Sequence, residues 1–233
     1  MGYTHYWYRP KEIRPEVFKK IVDDFKKLLP IFKMLDVQLA GPLGEGEPII
    51  NYEEVSFNGN HNCGHPKIGL GIAWPDDNVR PGVAISAEGA ISGSWFAGAL
   101  LNQRTCGGDC SHETFSFPRR LDEKEKPLGE VLFYDEGGNP IYTEKEKVGK
   151  YFDFCKTAFK PYDLAVNAFL IIAKHYLGRD LIVESDGDIP QWIDAIELCQ
   201  SNLGYGRDFV LGVPNQEEWK EERKIQETLD PYL

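Results

Sequence analysis

The sequence predicts an α+β fold: a mostly antiparallel sheet packed with about three helices, plus a glycine-rich inserted loop region. Three observations carry this. Apolar residues recur at intervals of three and four around residues 15–35, 161–177 and 189–203, the spacing of one buried helix face. Short runs of alternating polar and apolar residues, typical of half-buried strands, fall between them. Strands and helices do not alternate regularly, which argues against a parallel βαβ array. With 233 residues, 42% of them hydrophobic, the chain can bury about 70% of its unfolded surface and needs no staples to hold a core. We read residues 1–233 as a single domain, with residues 60–111 inserted into it.

In chain order, Tyr3 to Tyr8 alternates as a strand, with Tyr3, His5 and Trp7 on one face, and Pro10 ends it. Pro15 suits a first helical turn, and Val17, Phe18, Ile21, Val22, Phe25, Leu28, Leu29 and Phe32 continue a helix past Pro30. A short strand is expected at Val37–Ala40, and a strand pair around Ile49–Phe57 after the turn-rich loop Gly41 to Pro48. Ten of the 23 glycines fall within 59–110. Periodicity there is poor, with short strands expected only at Ile68–Trp74 and Val83–Ser86. Strands resume at Glu113–Pro118. After the charged linker Leu121–Lys126, a hairpin joins Val131–Tyr134 to Ile141–Thr143 around Gly137-Gly138-Asn139. Tyr151–Lys156 is a strand, and Pro161 to Leu177 a buried helix closed by Gly178. Leu181–Glu184 is a strand. Asp188 and Pro190 open a helix to Leu203, closed by Gly204. Asp208–Leu211 reads as a last strand and Gln216–Leu229 as a polar helix or frayed tail.

The 26 basic and 37 acidic residues leave a net charge of −11. Duplex nucleic acid needs a basic face, and Arg119-Arg120 and Lys145-Lys147 lie among acids, so no duplex nucleic acid is expected as a partner. A local pocket can still take a small anion. No apolar run reaches the roughly 18 residues of a membrane span, so no membrane is expected either. Five cysteines without a leader segment fit reduced thiols in a cytoplasm.

Polar chemistry gathers in four places. Cys63, His65, Cys106 and Cys110, with His61 and His112 nearby, offer thiolates and imidazoles, the ligands zinc prefers. Zinc, a disulfide between two of the three cysteines, and free thiols are the states open to this set. His112 beside Glu113 is suited to acid–base work, or else is a structural hydrogen-bonding pair. Lys156 and Thr157 at a strand end, with Tyr162 and Asp163 in a first helical turn, would suit a phosphate or carboxylate, with Arg119 a further cation. The alternatives are a core Tyr162 and an Asp163 that favours the helix dipole. In Glu184-Ser185-Asp186-Gly187-Asp188, Asp188 caps the next helix and Asp186 stays open as a ligand-binding acid.

The opening Met-Gly-Tyr-Thr-His-Tyr-Trp, His112-Glu113-Thr114-Phe115, Phe154-Cys155-Lys156-Thr157 with Lys160-Pro161-Tyr162-Asp163, and Ser185-Asp186-Gly187 together resemble an uncharacterised family of phage and bacterial mobile-element proteins. The resemblance runs from residue 1 to about residue 206 and implies one unit of unknown activity, with no fold, substrate or catalytic residue to carry over. It also implies that the family passes more directly from Asn58-Gly59 to His112-Glu113. A metal site on Cys63, Cys106 and Cys110 would then be local to this chain. Phe159 stands where the resemblance leads one to expect a basic residue.

Three functions compete. The first is a phage-type accessory protein of the host cytoplasm that binds a small polar or anionic, nucleotide-like ligand through Arg119, Lys156, Tyr162, Asp163 and Asp186. The second is a hydrolase-like enzyme with His112 as base and Glu113 or Asp186 as its carboxylate, with or without a metal. The third is a structural or protein–protein interaction module, with a host protein as partner. Convergence of the motif residues on one cleft separates the first two from the third.

Overall fold

The computed structural model describes residues 3–65, 104 and 106–213, together with two short backbone strands at Ser94–Trp95 and Ala99–Leu100. It has the predicted α+β architecture. The expected strands at Ile68–Trp74 and Val83–Ser86 and the tail at 216–229 lie outside the described residues.

The first strand, β1 (Thr4–Arg9), is central in a three-stranded sheet, between β10 (Tyr151–Lys156) and β11 (Ile182–Ser185). Both pairings are antiparallel, with Thr4 opposite Lys156 and His5 opposite Ser185. A second antiparallel sheet joins β2 (Leu39–Ala40), β3 (Ile49–Ile50) and β4 (Glu54–Gly59), with β7 (Phe115–Pro118) also pairing β4. Two-stranded pieces are β5 (Ser94–Trp95) with β6 (Ala99–Leu100), and the hairpin β8 (Val131–Tyr134) with β9 (Pro140–Tyr142).

Helix α1 (Pro15–Met34) follows the predicted stripe: Phe18, Ile21, Val22, Phe25, Leu28 and Phe32 are buried. It closes with Asp36 N–H donating to the Lys33 carbonyl and Val37 N–H to that of Phe32. This is the paired closure that places one residue in the left-handed region, and here that residue is Asp36, at φ 55°. Helix α2 (Asp163–Leu177) is buried continuously from Asp163 to Lys174 because α1 and α3 (Ile193–Leu203) both pack on it. The Phe169 ring meets Phe25, Phe115 and Phe117 at centroid distances of 5.3, 5.2 and 5.1 Å, tying α2 to α1 and to the second sheet. Arg9 joins the two sheets by donating to the Pro118 and Arg119 carbonyls, at 2.5 and 3.1 Å. Burial lowers its pKa to about 10, which leaves it charged at neutral pH.

Two expectations are corrected. Residues 208–211 form no strand; only Gly212 N–H reaches β11, at the Val183 carbonyl. Gly206 and Gly212 at φ 121° and 76° bend the chain away, so no ladder can form. The segment after Asp188 opens as a single 3₁₀ turn, Ile189–Gln191, closed reciprocally between Asp188 and Gln191, and α3 starts only at Ile193. Among the described residues no helix is long and apolar enough to cross a membrane.

Phe169→Ala removes a ring that three others pack against. It should lower stability by about 3–5 kcal/mol, measured by urea unfolding. A loss below about 1 kcal/mol would mean that this cluster is not the centre of the core.

Candidate metal centre and polar cluster

The ligand atoms of Cys63, His65, Cys106 and Cys110 all lie within 4.8 Å of one another. With zinc–sulfur bonds of about 2.3 Å, tetrahedral ligands stand about 3.8 Å apart, so the set fits a four-coordinate ion. Local sequence builds this. Gly59, at the end of β4, faces the Cys110 carbonyl where a Cβ would collide with it. That lets the 106–110 loop lie against the strand, with Cys110 N–H donating to the Asn60 carbonyl at 3.1 Å. His65 Nδ1 lies 3.3 Å from both Cys106 Sγ and Cys110 Sγ. Its Nε2 lies 2.8 Å from Asp36 Oδ2. An Nε2–H donating to Asp36 leaves the Nδ1 lone pair facing the sulfurs, the arrangement by which a carboxylate orients a metal-binding histidine. The left-handed backbone at Asp36 is unfavourable for a residue other than glycine. Its carboxylate also accepts from Gln38 Nε2 at 2.9 Å, and that amide reaches the Cys63 carbonyl at 3.0 Å. Burial pushes the Cys106 and Cys110 thiols up, so the bare pocket favours protonated sulfur and a cation is needed to hold thiolates there. Lys160 Nζ supplies a nearby positive charge, donating to the Cys106 and Asp109 carbonyls at 2.9 and 2.5 Å.

The same loop enters a buried charge network. Asp163 Oδ1 accepts from Thr157 Oγ1 at 2.5 Å and lies 2.7 Å from His5 Nε2. Its Oδ2 accepts from Arg104 Nε at 2.9 Å and from Asn167 Nδ2 at 3.3 Å. The other end of the Arg104 guanidinium pairs with Asp194, and its face lies over the Phe159 ring. His5, Arg104, Asp163 and Asp194 are fully buried. Burial works against the Asp163 charge, but Arg104 and then His5 outweigh it and hold the carboxyl below its usual range. Sequence reading missed Arg104 and His5. A lone arginine in a glycine-rich stretch carries no local signal, and His5 sits in an alternating strand like any inward residue.

The structure brings His112, Glu113, Lys156 and Tyr162 together, chiefly through the backbone. His112 Nδ1 lies 2.8 Å from the Lys156 carbonyl, and Glu113 Oε2 accepts from Lys156 N–H at 2.8 Å. The buried Tyr162 hydroxyl donates to the Glu113 carbonyl at 2.7 Å. Glu113 therefore serves the Lys156 amide, not the His112 ring. Asp163 is buried behind Tyr162 in the arginine network. Asp186 lies across β1, accepting from Thr4 N–H and Tyr6 Oη, both at 2.9 Å. Arg119, at the other end of β7, is tied to Glu12 and Glu53. Ser185 Oγ lies 3.0 Å from His5 Nδ1, a serine–histidine–aspartate chain with Asp163. Nearby amides that would stabilise an oxyanion are already engaged: Gly187 N–H donates to Ser185 Oγ and Asp186 N–H to the Thr4 carbonyl. A Cβ at Gly187 would press on the Tyr3 ring, which would have to shift to admit a larger residue.

No protein-family model matches this chain, and neither does any curated protein or solved structure.

Arg104→Met strands two buried carboxylates and should cost about 3–5 kcal/mol of stability, read by chemical denaturation at pH 7. Because the Asp163 pKa is lowered in the folded state, the unfolded chain binds more protons in acid. The stability due to that charge is present above the ordinary carboxylate pKa of about 3.9 and is lost as pH falls below it. Asp163→Asn should flatten the fall in stability between about pH 5 and pH 2; an unchanged acid slope would contradict the assignment.

Proposed function

We propose that this protein is an interaction module closed by a structural zinc ion, acting by binding a partner rather than by turnover. The closed four-ligand set of Cys63, His65, Cys106 and Cys110, each ligand 11% exposed or less at its side chain or residue, carries the reading. Structural zinc sites fill all four positions with protein ligands, whereas catalytic ones keep one open. Zinc bound there would hold the 104–110 loop against β4 and keep Arg104 between Asp163 and Asp194. The motif side chains support a binding role: His112, Glu113, Tyr162 and Asp163 are all hydrogen-bonded within the fold. Among the described residues, eight of the fourteen exposed large hydrophobic ones, from Leu132 to Phe154, lie on or beside the β8–β9 hairpin and β10. A concentration of that kind marks an interaction surface. An accessory protein of a phage or mobile element, as the motif set suggests, would use such a surface on a host protein.

Protein purified without chelator should hold one equivalent of zinc by elemental analysis. Cys110→Ser or chelation should lower the melting temperature and release the loop, seen as faster amide exchange at residues 106–112. Protein with no zinc and full stability would overturn the reading. Phe133→Ser with Tyr142→Ser should change stability by no more than about 0.5 kcal/mol each; a large loss would make these residues core and remove the proposed surface.

A second reading is supported by the exposed Lys156 beside the exposed His112: a small phosphate-bearing ligand held at that strand end. Lys156→Ala should then weaken nucleotide or phosphate binding by about tenfold in calorimetry, about 1.4 kcal/mol. Equal heats for the two proteins would dismiss it.

A further inference from the structure

We propose that Tyr6 and Asp186, flanked by Phe152 and Phe154, form a docking site for a lysine or arginine side chain of a basic polypeptide. The proposal rests on the interaction-module reading and names its partner.

The outer face of the β10–β1–β11 sheet already contains one cation site filled by the chain itself. The Tyr8 hydroxyl donates to Glu184 Oε2 at 3.1 Å. Lys147 Nζ lies 4.6 Å from the centre of the Tyr8 ring and pairs with Glu184 at 2.6 Å and Glu144 at 3.1 Å. An aromatic face and carboxylates thus hold a lysine that is 7% exposed, the combination that strengthens a cation–π contact. Two residues along, the strands repeat the unit. On β1, Tyr8 gives way to Tyr6, and beyond Glu184 on β11 comes Asp186. The Tyr6 hydroxyl donates to Asp186 Oδ1 at 2.9 Å, the same diagonal across the sheet. Among the described residues no ion pair joins a lysine or arginine to this second carboxylate, and Asp186 is exposed.

The surroundings extend the site into a surface. The Phe152 ring stacks against Tyr6 at 6.3 Å and against Phe154 at 6.0 Å. Phe152 and Phe154 are 43% and 46% exposed, enough to cover the stem of a long basic side chain. Charge selects the partner class. The protein carries −11 overall, and Asp186 adds an exposed carboxylate at this edge, which repels nucleic acid and a second acidic copy alike while steering a basic chain inward. Among the described residues, Lys156 is the cation on the adjoining strand end, so it opposes a basic ligand and sets the sign of one test.

The test is a fluorescein-labelled hexaarginine peptide titrated into the zinc-loaded protein near 150 mM salt, with aromatic NMR signals followed in parallel. Tyr6, Phe152 and Phe154 signals should shift. Asp186→Asn keeps the oxygen that accepts from Thr4 N–H but loses the charge, and should weaken binding at least fivefold; Phe154→Ser should do so too. Lys156→Ala should tighten it, the opposite of its effect on a phosphate ligand. Glu47→Gln, on the loop before β3, should change it less than twofold. Unchanged affinity in Asp186→Asn, an equal loss in Glu47→Gln, or shifts confined to other rings would overturn the proposal. So would a dimer in sedimentation that Phe154→Ser dissolves, which would assign the face to a second copy. Zinc content and chelator response are measured on the same samples. Failure of the peptide with the zinc result intact removes only this site, whereas a metal-free stable protein removes the module reading itself.

Discussion

The buried carboxylate of Asp163 is the constraint on which the rest of the structure depends. It sits at the first turn of α2, fully enclosed, where an unpaired charge is prohibitively unfavourable. Its neutralisation draws in residues from far along the chain: His5 from β1, Arg104 from just before Cys106, Thr157 from the end of β10 and Asn167 from α2. Each of these is placed by a different element, so the site can be satisfied only when the sheet, the helix and the loop are all assembled. Such a network favours one arrangement over others, because a partly satisfied version leaves charge buried.

The proposed metal centre and this network share a loop. Between Arg104 and Cys106 there is one residue, and between Cys110 and the His112-Glu113 pair one more. The loop is thus held at three places: the four-ligand set, the carboxylates of Asp163 and Asp194, and the backbone of Lys156. Lys160 adds a fourth, bridging to the carbonyls of Cys106 and Asp109. Ala158 and Phe159, between Lys156 and Lys160, both hold left-handed backbone at φ 50° and 55°, an unfavourable conformation for side-chain-bearing residues. The dense bonding on either side is what sustains it. Asp163, Asp194, Lys156 and Lys160, far from the loop in sequence, together dock it on the start of α2.

This leaves the outer face of the first sheet. Its inner face, with His5, Trp7 and Arg9, is buried. The outer face carries Tyr6, Tyr8, Phe152 and Phe154 with carboxylates beside the tyrosines, and among the described residues no helix covers Phe152 or Phe154. The β8–β9 hairpin adds Leu132, Phe133, Tyr134, Ile141 and Tyr142. A two-stranded hairpin is marginal on its own, and its exposed apolar residues are the surface on which the proposed partner would dock.

The sequence by itself determined what depends on near neighbours. The α1 stripe, the limits of β10, the hairpin around Gly137-Gly138-Asn139 and the Gly178 and Gly204 helix ends were legible because periodicity and turn chemistry act over a few residues. The candidate metal ligands were legible by type, since thiolates and imidazoles are the groups zinc prefers, and the structure brings all four together. Tertiary structure decided which polar residues meet. Asp36 faces His65 because of the way α1 ends, and Arg104 reaches Asp163 across 59 positions. Tyr162 and Glu113 meet through a hydroxyl and a backbone carbonyl. The last expected strand failed for the same reason: Asp208–Leu211 has strand-like residues, but pairing requires a partner edge, and left-handed glycines on either side turn the chain away. Hydrogen bonding and charge neutralisation are set by distance in space, which local composition does not encode.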